Sequence, residues 1–104
     1  MLMGGDYIME RGDNDMPSIS MFYGIIVYMY TSDNEKHHTP HIHIRYSGKK
    51  ATFSIENGEL INGEVPNKIM KLVKAWIEIH YDELMANWEL AINNGEIYKI
   101  EPLK

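Results

Sequence analysis

Four of the five histidines fall in the stretch HHTPHIHIRY, residues 37–46. His41 and His43 alternate with isoleucine, so on a strand they share one face with their Cβ atoms roughly 7 Å apart. That separation lets two imidazoles converge on one metal ion or one phosphate. A divalent metal needs at least a third ligand, and the preceding loop offers His37, His38, Asp33 and Glu35; His41, His43 and His38 form the candidate metal set. Without metal the same pair suits general acid and base work, because imidazole titrates near neutrality. Arg45 follows on the same face and suits an anionic group, while Tyr23, Tyr30 and Tyr46 are candidate proton donors. The candidate catalytic set is therefore His41, His43, Arg45 and Tyr23. A structural role stands beside it, since strand histidines often only hydrogen-bond to their neighbours.

Composition limits the chemistry further. The chain has no cysteine, which excludes disulfides, thiolate metal sites and a cysteine nucleophile. No cofactor is expected apart from a divalent metal on histidine and carboxylate. The formal net charge of −5 argues against a protein that coats nucleic acid. The charges are unevenly placed, however. Residues 36–50 contain no acid, and Lys36, Arg45, Lys49 and Lys50 join the histidines there, whereas acids outnumber lysines from Glu56 onward. Such a local basic patch suits a phosphate better than a long duplex. The longest apolar-leaning run, residues 19–30, is far short of the roughly 20 residues of a membrane helix and contains Gly24. With no signal-peptide pattern at the start, a cytoplasmic protein without membrane contact is expected.

The elements that must position these residues are legible in the periodicity. Residues 1–15, with three glycines and scattered charge, read as a loosely ordered lead-in to one α+β domain over 16–104. Dense β-branched and aromatic residues predict one long strand over 19–30, bent or bulged at Gly24. Residues 31–40 are polar, end in proline, and predict a loop. Strands at 41–46 and 50–55 around Ser47-Gly48-Lys49 predict a β-hairpin, and Asn57-Gly58 precedes a short fourth strand at 59–62. From Pro66 the period changes: Ile69, Leu72, Val73, Trp76, Ile77 and His80 recur at helical spacing, and Leu84, Trp88, Ala91 and Ile92 continue it. Two helices with a break near His80, or one bent helix, fit this pattern, the former being favoured. Asn94-Gly95 is a helix stop, and residues 97–100 alternate like a short closing strand. The expected architecture is a small antiparallel sheet packed against one or two C-terminal helices. His80 is expected to be a satisfied, partly buried histidine, and Trp76 and Trp88 core anchors.

The residues Met16-Pro17-Ser18-Ile19-Ser20-Met21-Phe22-Tyr23-Gly24-Ile25, Pro40-His41-Ile42-His43, Gly58-Glu59-Leu60, Trp76 with His80, Leu84 with Trp88, and Pro102-Leu103 together resemble a bacterial family known as domain of unknown function forty-one-sixty. The resemblance covers residues 16–103, and His37 or His38 stands where that family carries a loop histidine. Thr39 replaces a family proline, and Ile42 replaces a phenylalanine. The resemblance implies no established activity. It implies a component of a two-gene, toxin–antitoxin-like module whose partner is a small protein encoded nearby. Joined to the acid-free stretch, it makes RNA or another phosphate-bearing ligand the expected ligand class. A non-catalytic interaction module and a metal-dependent hydrolase are the alternatives.

Overall fold

The computed structural model describes residues 17–30 and 39–104. The expected lead-in over residues 1–15 and the loop residues Asp33, Glu35, His37 and His38 lie outside the described residues. An antiparallel sheet runs β1 (Ser18–Phe22), β2 (Ile25–Tyr28), β3 (His41–Tyr46), β4 (Lys49–Ser54) and β5 (Leu60–Gly63), each strand beside the next in the chain. Two helices follow, α1 (Asn67–Ile79) and α2 (Tyr81–Ile92). The α+β architecture matches the sequence expectation, with two differences in detail.

The expected long first strand is a hairpin. The chain reverses at Tyr23-Gly24, whose φ angles of 51° and 80° are those of a two-residue turn with both central residues left-handed. Phe22 therefore pairs with Ile25 and joins it on the core face, instead of sharing a face with Ile26 and Tyr28. Ser47-Gly48 makes the same kind of turn, with φ 49° and 83°, and sets the β3–β4 register. The other difference is at the C-terminus, where residues 97–100 form an extended tail and no strand. Asn87 of α2 takes both backbone groups of Tyr98: its Nδ2 donates to the Tyr98 carbonyl (2.7 Å) and its Oδ1 accepts from the Tyr98 N–H (3.0 Å). The tail reaches β1 through the Ile100 N–H, at the Ile19 carbonyl (2.8 Å), and through Lys99 Nζ, at the Ser18 carbonyl (3.1 Å), and Ile19 sits at a register shift of that strand. With Tyr98 held by a side chain, no ladder of backbone bonds can extend along the tail.

The core lies between the helices and one face of the sheet. Ile25, Val27, Ile42, Ile44, Ala51 and Phe53 occupy that face, and Ile69, Val73, Trp76, Ile77, Leu84, Trp88 and Ala91 close over it. Each fully buried aliphatic or aromatic side chain contributes about 1.5–3 kcal/mol through water exclusion. Trp76 is fully buried, 5.3 Å from Phe22 by ring centroids, and its Nε1–H donates to the Glu101 carbonyl (2.8 Å), tying the tail to α1. The helices separate at His80, whose φ and ψ of −108° and 28° leave the helical region. His80 Nδ1 pairs with Glu83 Oε1 in the first turn of α2, where Asp82 and Glu83 also complement the positive helix end. His80 is thus partly buried and satisfied, as its place on the apolar face implied. At the far end of α2 the Asn94 and Gly95 N–H groups donate to the Ala91 and Leu90 carbonyls, and Asn94 takes the left-handed φ of 59°. Among the described residues no helix is long and apolar enough to cross a membrane.

Candidate functional site

Strand alternation sends every second side chain to the sheet face away from the main core, where the registers form a buried row at His41 and Ser54 and two further rows across the strands. One row reads Met21, Ile26, Arg45, Lys50 from β1 to β4; the other reads Tyr28, His43, Thr52, Asn62 from β2 to β5. A groove of about 310 Å³ lies over the two rows, lined by Tyr28, Tyr30, His43, Arg45, Lys50 and Asn62 among others. No carboxylate lines it among the described residues. Arg45 and Lys50 are direct cross-strand partners on one face, an arrangement of like charges that costs free energy in the absence of a counter-charge.

The aromatic residues sort the cations by position. The Arg45 guanidinium lies 5.5 Å from the centre of the Tyr28 ring, within cation–π range. The Tyr30 and His43 rings stack, 4.1 Å apart at an interplanar angle of 26°. His43 Nδ1 and Thr52 Oγ1 are 3.1 Å apart, so the row partner on β4 fixes the imidazole's rotation.

His41 occupies a different environment although it shares the face of His43. It is 2% exposed, its ring 4.9 Å from that of Trp88 and edge-on to His43 at 5.0 Å. Its Nδ1 lies 2.8 Å from the Thr39 carbonyl, which can only accept, so Nδ1 carries the proton. The structure therefore brings His43 and Arg45 into the groove and packs His41 against α2 at its end. Tyr23 does not join them: it lies in the β1–β2 turn, 60% exposed, at the opposite end of β2 from Tyr28. Of the candidate metal set, His41 and His43 adjoin and His38 lies outside the described residues. Among the described residues no three His, Asp or Glu side chains gather as a metal site.

Thr52, Asn62 and Tyr28 are site residues absent from the sequence reading, and Lys50 enters it only as one charge of the basic patch. A signal for two of them existed, because a two-residue turn at Ser47-Gly48 places Lys50 opposite Arg45 and Thr52 opposite His43. Asn62 was less accessible, since the β4–β5 register shifts between Thr52 and Phe53. Gly63 closes this edge of the groove; its φ is +84°, and a Cβ there would stand 2.2 Å from the Lys50 carbonyl oxygen.

No curated protein and no solved structure matches the chain. A family model described as domain of unknown function (DUF4160) matches residues 24–89, which span β2 to β5, α1 and most of α2. β1 and the tail that ties into Trp76 lie outside the matched span yet belong to the same fold. The match takes in the whole of both strands of the histidine hairpin and more than half of the chain, and on that ground the protein belongs to the DUF4160 family.

Proposed function

We propose that the face carrying His43, Arg45 and Lys50 binds a phosphate-bearing ligand and is the working surface of a small protein that acts with a cognate partner. The observation that carries the reading is the side-by-side placement of Arg45 and Lys50 over a groove whose described lining holds no carboxylate. An oxyanion between the two cations converts their mutual repulsion into two charge-assisted contacts, with the guanidinium able to bind it bidentately. His43 adds either a third positive charge or a proton acceptor, depending on its protonation state, and Thr52 holds its ring in place. In this reading His41 supports the strand end and does not touch the ligand.

Titration calorimetry with pyrophosphate tests the anion site directly. Wild type should bind at low salt, and Arg45→Gln and Lys50→Ala should each weaken binding by about tenfold or more, the loss expected for one charge-assisted contact. Wild-type protein that gives no heat with pyrophosphate would sink the reading. The partner half of the proposal draws on the family resemblance, and on a second observation: Met21 and Tyr23, 61% and 60% exposed, place apolar surface on the first hairpin. Induced expression with and without the neighbouring gene product tests that half. Growth arrest relieved by the partner supports a toxin–antitoxin-like role; unaffected growth at full expression favours an interaction module without toxicity.

A further inference from the structure

Resting on the anion-site reading above, the geometry points to a ligand class: a nucleoside monophosphate unit, free or within a single strand, with its phosphate on the Arg45–Lys50 row and its base on the Tyr28–His43 row. The rows are two residues apart along the strands, roughly 7 Å, so one ligand must present an anion and a second feature at that separation. The second row begins with the rings of Tyr28 and His43, and Tyr30 adds a third ring beside them. Tyr30 and His43 are stacked at 4.1 Å, Tyr28 carries the Arg45 guanidinium, and all four half-buried side chains line the groove.

Cations interleaved with aromatic rings hold single-stranded nucleic acids by stacking, which every base can provide. Asn62 ends the row with a side-chain amide whose Oδ1 accepts the Gly63 N–H (2.9 Å), which orients its Nδ2 donors for an acceptor on a base edge. The volume of about 310 Å³ is at the bottom of the range for small-ligand sites, enough for one nucleotide and too small for several. A duplex is the wrong shape and meets the wrong field. The net charge is −5, and the exposed lysines of α1, Lys68, Lys71 and Lys74, are outnumbered by the exposed acids Glu78, Asp82, Glu83 and Glu89 along the helices, so the chain as a whole repels a long polyanion.

The test titrates purified protein with adenosine monophosphate, ribose 5-phosphate, pyrophosphate, a single-stranded adenylate trimer and a short duplex. The monophosphate should bind about tenfold more tightly than ribose 5-phosphate, the usual effect of one stacked base. Tyr30→Leu, which keeps bulk and removes the ring, should abolish that difference, and Tyr30→Phe should keep it; thermal melts establish that both variants are folded. Equal affinity for the monophosphate and ribose 5-phosphate would overturn the nucleotide assignment and leave the anion site standing. Failure of every phosphate-bearing probe, pyrophosphate included, would overturn both. A trimer tighter than the monophosphate assigns a single strand as the source, and a monophosphate at least as tight assigns a free nucleotide. A duplex as tight as the trimer would also refute the inference.

Discussion

Gly63 is where the fold and the groove depend on the same atom being absent. Its φ of +84° disfavours any residue with a Cβ, and the ideal Cβ position is 2.2 Å from the Lys50 carbonyl oxygen and 2.8 Å from the Ala51 Cα. Gly48 separates the two effects, because its φ is +83° and nothing lies within 4 Å of its Cβ position. Gly48→Ala should therefore show the left-handed penalty alone, about 1 kcal/mol. Gly63→Ala adds a backbone clash that only a shift of β5 against β4 relieves. Overpacking of this kind costs about 1–3 kcal/mol. The two variants should then differ by about 2 kcal/mol, roughly 8–16 °C in Tm for a domain of this size. Circular dichroism melts at equal protein concentration measure the difference, and amide exchange across residues 60–63 reports whether β5 has moved. The clash also displaces the backbone of Lys50, one of the two cations assigned to the anion, so pyrophosphate affinity should fall in Gly63→Ala and stay unchanged in Gly48→Ala. Equal Tm values for the two variants, with equal exchange in β5, would refute the reasoning.

Other substitutions test the remaining assignments. Lys50→Ala should leave the free protein as stable as wild type, or more stable by a few tenths of a kcal/mol in urea denaturation, because it removes a like-charge cross-strand pair while weakening pyrophosphate binding. His41→Ala should cost about 2–3 kcal/mol by opening a cavity beside Trp88 and losing the Thr39 contact, whereas His43→Ala should cost about 1 kcal/mol; similar denaturation midpoints for the two would contradict the different roles given to them. Trp76→Phe should lose about 1 kcal/mol with the Glu101 bond and speed amide exchange in the C-terminal tail. Ser20→Ala should be neutral or stabilising by up to about 1 kcal/mol, since the buried Ser20 hydroxyl has no hydrogen-bond partner among the described residues; a clear loss of stability would show that the hydroxyl is satisfied in solution.

Much of the fold was legible because its signals are local. Asn57-Gly58 marks a turn by side-chain chemistry: Asn57 Oδ1 accepts the Glu59 N–H (2.9 Å), and Gly58 takes a φ of +73°. The helical spacing from Ile69 to Ile77 identified the buried face of α1. The Tyr23-Gly24 hairpin was missed because tyrosine is a poor marker for a left-handed first turn position, which Asn, Asp or Gly usually fill. Apolar residues on both sides of Gly24 then read as one strand. The closing strand was expected from alternation alone, which reports side-chain direction and is silent about a competing partner. That partner, Asn87, lies eleven residues before Tyr98 on a helix.

The same distinction between direction and covering separates the two strand histidines. Alternation correctly puts His41, His43 and Arg45 on one face, and a pair of imidazoles so spaced reads as a unit. Whether a side chain on that face meets a ligand depends on what lies over it, and for His41 that is Trp88, which comes from α2 and has no sequence relation to the strand. The pair is therefore unequal: one ring is held in the packing, the other is stacked on Tyr30 at the groove. This inequality governs how a functional test must be built. A double alanine variant of His41 and His43 would lose stability through the first position, and loss of activity in it would say little about chemistry at the second. His43→Gln in a His41 wild-type background changes the groove while leaving the Trp88 contact intact. If the face does work on a phosphate-bearing ligand, that single substitution should alter binding or turnover with the melting temperature within a few degrees of wild type.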